Sequence, residues 1–160
     1  MLTYDLIVIG FGKAGKTLAA KMATQGKKVA LIERSKAMYG GTCINIACIP
    51  TKTLLVAAEK ELSFEEVMAE KNAVTSRLNG KNYATISSAG VDIIDAEAHF
   101  LSNKIIEIVA GDEKQEITAE NIVINTGAVS NVLPIPGLTT TKNVYDSTGI
   151  QNLATLPKRL

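Results

Sequence analysis

The apolar run Leu6-Ile7-Val8-Ile9 stops at Gly10-Phe11-Gly12-Lys13-Ala14-Gly15, and few folds accept that join. A short, β-branched, uninterrupted apolar run suits a strand buried on both faces of a parallel sheet. The segment from Ala14 to Gln25 then shows helical periodicity, with Leu18, Ala19, Met22 and Ala23 on one face and Gly26 at its end. Lys28 to Ile32 reads as a second strand. Strand, glycine turn, helix and strand in this order point to an α/β fold. In the pattern Gly10-x-Gly12-x-x-Gly15, the first glycine permits the tight turn. The second lets backbone approach a ligand, and the third lets helix and strand pack closely. The unpaired amides and dipole of the helix N-terminus favour an anion such as the pyrophosphate of a dinucleotide. Glu33 follows the second strand, 23 residues after Gly10, where an acid can accept hydrogen bonds from ribose hydroxyls.

The two cysteines of the chain lie five residues apart in Gly40-Gly41-Thr42-Cys43-Ile44-Asn45-Ile46-Ala47-Cys48-Ile49-Pro50-Thr51-Lys52. A disulfide needs Cα atoms within about 7 Å. An extended run of this length separates them by roughly 17 Å, and a regular helix by about 8.5 Å. The segment is therefore expected to be a distorted helical turn. Pro50 has no amide hydrogen to give the carbonyl of Ile46, which already breaks the helical ladder. A bridge in such backbone is readily reduced, and a cysteine at a helix N-terminus is expected to have a lowered thiol pKa. Redox use competes with three other readings: two free structural cysteines, a structural disulfide, and a zinc half-site. The spacing fits zinc poorly, and the only other soft ligand is His99. The glycine fingerprint does not distinguish FAD from NAD. The adjacent dithiol favours FAD, since something must hand it electrons.

These two motifs together resemble those of the class I pyridine nucleotide–disulfide oxidoreductases, and the resemblance covers essentially the whole chain. Within that family, Ile9 to Leu18 and Met38 to Ile46 look like the bacterial reactive-chlorine-resistance branch, which is mercuric-reductase-like. The segments Ile135-Pro136-Gly137 and Tyr145-Asp146-Ser147-Thr148-Gly149 are similar too. The resemblance implies a Rossmann-like FAD-binding domain: a parallel sheet with helices and an inserted small antiparallel β-meander, incomplete at its C-terminus. It implies that Cys48 is the thiol beside the flavin, Cys43 the interchange thiol, and Lys52 a cation near the flavin N5 edge. It further assigns FAD contacts to Gly10, Gly12, Ala14, Gly15, Glu33, Arg34, Gly41, Thr42, Cys43, Cys48, Lys52, Ala98, Thr126 and Gly127. NAD(P)H would be the co-substrate, and a disulfide, oxidant or metal ion the electron acceptor. Two positions depart from the family pattern. Ala47 stands where glycine is usual and would strain the turn if positive φ were needed there. Asn125-Thr126-Gly127 stands where Ala-Thr-Gly is common.

Thr53 to Glu61 and Phe64 to Leu78 read as helices. Val91–Ile94, Ala96–Leu101, Lys104–Val109, Glu116–Thr118 and Asn121–Ile124 read as strands. The single histidine, His99, reads as structural or solvated. A net charge of +1 with interspersed signs argues against nucleic-acid binding. No apolar stretch has membrane-spanning length, and no export signal opens the chain, so a cytoplasmic protein is expected. The family likeness divides the chain into an N-terminal portion of an FAD domain, 1–150, and a connection, 151–160, toward an NAD(P) domain. On that reading the complete protein is a homodimeric enzyme and these 160 residues alone are inactive. A flavin- or nucleotide-binding module without dithiol chemistry, and a thiol trap for metal ions, are the competing readings.

Overall fold

Alternating side chains on the first two strands sort the core into two layers. In the computed structural model, residues 1–159 are described, and β1 (Leu2–Ile9) leads through the glycine turn into α1 (Lys13–Thr24) and β2 (Val29–Glu33). Strands β1 and β2 pair in parallel, Leu6 opposite Val29 and Ile9 opposite Ile32. Leu6 and Val8 face one side with Val29 and Leu31, where Phe11, Ala19, Tyr39 and Ile86 complete a cluster. Ile7, Ala30 and Ile32 face the other, with Ala96, Ile106, Ile108 and Ile117. Full burial of each such aliphatic side chain contributes about 1.5–3 kcal/mol.

A short 3₁₀ turn (Lys36–Met38) precedes α2 (Thr42–Asn45), α3 (Cys48–Ala58) and the long α4 (Phe64–Ser88). Helix α4 begins in a capping box: the Ser63 hydroxyl accepts from the Glu66 amide, and the Glu66 carboxylate accepts from the Ser63 amide at 2.8 Å. It runs ten residues beyond the expected end at Leu78, through Asn79-Gly80. Tertiary partners offset the poor propensity of that dipeptide. The Asn79 carboxamide donates to the carbonyls of Lys36 and Ala37, and Asn82 accepts from the buried Lys16 ammonium. Ile86, one turn on, enters the core.

Strands β3 (Asp92–Asp95), β4 (Glu97–Phe100), β5 (Ile105–Ala110) and β6 (Glu113–Ile124) complete a six-stranded sheet in the order β3-β2-β1-β6-β5-β4. The two strands expected at Glu116–Thr118 and Asn121–Ile124 are one. The start of β6 pairs antiparallel with β5, and its end pairs in parallel with β1. The antiparallel β4-β5-β6 meander is thus continuous with the parallel β3-β2-β1-β6 part. Strands β3 and β4 stand at opposite ends of that order, yet only Ala96 separates them in sequence. The sheet must therefore curl until its ends meet. They do so at Ala96, whose amide donates to the Glu33 carbonyl at 3.1 Å. Beyond β6 the chain is irregular until α5 (Ser147–Ile150), where Asp146 caps the Gly149 amide. Residues 151–152 are held to the helices: the buried Lys71 ammonium donates to the Gln151 carbonyl and the Asn152 side chain. Gln151 donates to the Thr51 hydroxyl. No helix among the described residues is long and apolar enough to cross a membrane.

Candidate functional site

The curl of the sheet creates a cavity of about 450 Å³ at the C-terminal ends of β1 and β2, where parallel α/β sheets bind ligands. Six residues named from the sequence line it: Gly10, Glu33, Arg34, Ala98, Thr126 and Gly127. Ala98 arrives there only because β4 is brought round onto β2. His99 also lines the cavity, with its Nε2 3.9 Å from Glu97, which in turn lies 3.8 Å from the Arg34 guanidinium. Sequence reasoning set His99 aside as structural or solvated; its ring is exposed, at the rim.

Glu33 turns back onto the glycine turn. One carboxylate oxygen accepts from the Phe11 amide and the other from the Ser35 amide, each at 3.0 Å. The first amides of α1 are free of any side-chain cap among the described residues, and the first turn carries no acid. Ala14 is exposed on that turn, while Gly15 is buried against β1. The helix start is open to an anion.

The dithiol segment lies on the other side of Gly12. Gly41 has φ 77°, and a Cβ there would fall 2.6 Å from the Gly12 Cα, so two glycine backbones meet with no side chain between them. Thr42 begins α2, with Cys43 next to it. The helical path breaks at Ile46 and Ala47, and Cys48 opens α3. The expected interrupted turn is present, with Pro50 in the first turn of α3, where its missing amide costs little. Ala47 has φ −134°, so the left-handed conformation in which alanine would strain the turn is not adopted.

Both cysteines are free and exposed. The Cys43 thiol lies within hydrogen-bonding reach of Cys48. That bond, then burial, then the Cys48 charge push its pKa up, against the downward pull of Lys52 and Lys16. The lowered Cys43 pKa expected from its neighbouring helix start is therefore not found, because the neighbouring sulfur outweighs both lysines. Lys52 is exposed on α3. Lys16 is buried, its pKa lowered chiefly by desolvation and then by Lys13, with Cys43 pulling it back up. Its ammonium is held by Asn82. Tyr39 packs between Phe11 and Tyr83, each ring centroid 5.0 Å away, and its hydroxyl donates to Asp95. Burial and that bond raise the Tyr39 pKa. Among the described residues, no three His, Cys, Asp or Glu side chains converge to hold a metal ion.

Gly12, Ala14, Gly15, Gly41, Thr42, Cys43, Cys48 and Lys52 lie outside the cavity lining. The candidate site is thus a cavity, an open helix start and an exposed thiol pair, joined across the Gly12–Gly41 contact. The sequence singled out Asn125 only as a departure. The structure packs it against the fingerprint glycines.

Residues 4–160 match the family described as pyridine nucleotide-disulphide oxidoreductase. The probable pyridine nucleotide-disulfide oxidoreductase RclA of Escherichia coli is 50% identical over 161 residues, covering 100% of this chain and 36% of that protein. Dihydrolipoyl dehydrogenase of Staphylococcus aureus is 32% identical over 173 residues, covering 98% of this chain and 36% of its own length. The fold superposes with a TM-score of 0.91 on a structure described as the Cu(II) complex of HOCl-induced flavoprotein disulfide reductase RclA from Escherichia coli. That match is 50% identical and covers 96% of this chain and 35% of the other. The chain spans about a third of the length of these relatives.

Proposed function

This chain belongs to the pyridine nucleotide-disulphide oxidoreductase family, and we propose that it is the FAD-binding, dithiol-bearing part of an oxidoreductase. The Gly12–Gly41 contact carries this reading, since it joins an anion-binding helix start to a close pair of thiols with no side chain in between. Residues 1–150 form the N-terminal portion of the FAD domain, and 151–160 lead toward an NAD(P) domain.

The residues fit the cofactor. The α1 amides, with Ala14 in the first turn, receive the pyrophosphate. Glu33 and Arg34 meet the ribose, and Ala98 the adenine, in the cavity. Gly41 and Thr42 admit the ribityl end, with Thr126 and Gly127 closing the opposite side. FAD, when bound, supplies two electrons taken as hydride from NAD(P)H. The oxidised Cys43–Cys48 pair would gain those two electrons, with one proton carried by the hydride and one from solvent, its S–S bond breaking to give two thiols. Cys48, at the start of α3, would be the thiol beside the cofactor. Cys43, on the exposed α2 turn, meets the acceptor and returns the pair to the disulfide. Lys52 supplies positive charge close by. A disulfide, an oxidant or a metal ion can take the electrons. Description of a relative as a Cu(II) complex supports a metal ion among them. The protein is proposed to be a cytoplasmic homodimer.

The test is a visible spectrum of the chain after incubation with FAD and desalting, followed by thiol counting with an alkylating reagent on the complete protein, NAD(P) domain included, before and after NADPH. Retained flavin and two newly reactive thiols are expected. Retained flavin with no change in thiols would favour a binding module without dithiol chemistry. Metal retained by the thiols without NADPH consumption would favour a trap.

A further inference from the structure

Asn125 follows β6 directly and is the side chain around which the glycine turn is built. Its amide donates to the Ile9 carbonyl at 2.8 Å, carrying the parallel pairing of β1 and β6 one residue past Ile124. Its carboxamide Nδ2 donates to the Gly10 carbonyl at 3.0 Å. A Cβ at Gly12 would lie 2.8 Å from that nitrogen, and the next two nearest atoms, at 3.5 and 3.6 Å, belong to the same carboxamide. At Gly15 a Cβ would lie 2.6 Å from it and 2.7 Å from Val8 Cγ1. At Gly10 it would meet the Asn125 carbonyl oxygen at 2.3 Å. All three fingerprint glycines therefore accommodate this one residue, and for Gly12 no other side chain comes as near.

We propose that Asn125 is a positioning residue that locks the glycine turn in the shape that receives a pyrophosphate. The proposal rests on the cofactor reading above. A carbonyl bonded inward to Asn125 does not face an incoming phosphate, whose oxygens an exposed carbonyl would repel. Phe11, the next residue, has its amide held by Glu33, so the turn is pinned from both sides. Because Asn125 is contiguous with Thr126 and Gly127, which line the cavity, the lock also sets the distance between the turn and that wall.

The experiment combines two readouts on the unmodified protein and on Asn125→Ala, Asn125→Asp, Gly12→Ala and the Gly12→Ala/Asn125→Ala pair. Calorimetry measures binding of ADP, which carries a pyrophosphate, and of adenosine, which does not. Asn125→Ala is expected to weaken ADP about tenfold, the equivalent of one hydrogen bond, and to leave adenosine within about twofold. Asn125→Asp keeps the shape but turns an acceptor toward the Gly10 carbonyl, and should weaken ADP further. Thermal melting without ligand should show that Gly12→Ala costs less in the Asn125→Ala background, because the obstructing carboxamide is gone. Equal weakening of ADP and adenosine, or strictly additive melting losses, would overturn the lock. Absence of ADP binding by the unmodified protein would instead overturn the cofactor reading, while the melting cycle still decides whether Asn125 holds the turn.

Discussion

The nucleotide corner and the dithiol corner of this molecule share a boundary but are built on opposite terms. Around Gly10, backbone meets backbone or a short polar side chain, and each approach is determined by partners distant in sequence: Glu33 on the Phe11 amide, Asn125 on the Gly10 carbonyl. Around Cys43 and Cys48 the helix is interrupted, both thiols are exposed among half-buried neighbours, and the Cys43 thiol feels chiefly the Cys48 sulfur and burial, against two lysines. A surface that must hold a rigid anion gains from preorganisation, whereas a thiol that must reach a second reactant gains from exposure. The Gly12–Gly41 contact is where the two requirements are reconciled.

The sharpest way to break this comparison is at that boundary. Gly41→Ala places a Cβ against backbone at a positive φ, and the combined conformational and overpacking cost is expected to be about 2–5 kcal/mol. Urea unfolding measures it, and an unchanged midpoint would show that the corners are not in contact as described. Next in size, Glu33→Gln leaves one of the two amides with a neutral acceptor and turns a donor NH2 toward the other. A loss of about 1–3 kcal/mol is expected, visible as a lower melting temperature and faster exchange of the Phe11 amide. No change would mean that Glu33 does not brace the turn. On the dithiol side the expected stability effects are small. Cys43→Ser and Cys48→Ser should each alter stability by about 0.5 kcal/mol or less, while abolishing any two-thiol change on reduction. A large destabilisation would assign the cysteines a structural role.

The smallest effect concerns pH. A raised Cys43 pKa leaves less thiolate at neutral pH than an ordinary cysteine has. Iodoacetamide should therefore label the reduced Cys43 slowly at neutral pH, and faster as pH climbs through and above the usual thiol range. Cys48→Ala removes the leading cause of the shift and should speed labelling, whereas Lys52→Met should slow it. Labelling unaffected by Cys48→Ala would show that the thiol pair is not coupled.

Some of this architecture was decided by contacts near in sequence and could be read from it. Leu6 to Ile9 ending in Gly10, the Ala19, Met22 and Ala23 face of α1 (Leu18, expected with them, is exposed) and the Cys43–Cys48 spacing interrupted ahead of Pro50 each depend on periods and bond geometry within one or two turns of chain. So does the Ser63–Glu66 capping box, which pattern reading passed over although its signal was present. Other features depended on partners far along the chain, to which local propensity is blind. Asn79-Gly80 looks like a helix end, and α4 continues through it because Lys16 and the carbonyls near Lys36 complete its asparagines. Two apolar runs fuse into β6 because β1 and β5 offer edges on either side. Ala98 reaches the end of β1 only through the curl closed at Ala96. Nothing about Asn125 as a letter distinguishes a turn residue from a lock. Sequence alone determined the local elements and the chemistry they carry, since short-range sterics and hydrogen bonding suffice for those. Tertiary structure decided which elements share a site, because that follows from burial and pairing between residues up to 116 positions apart.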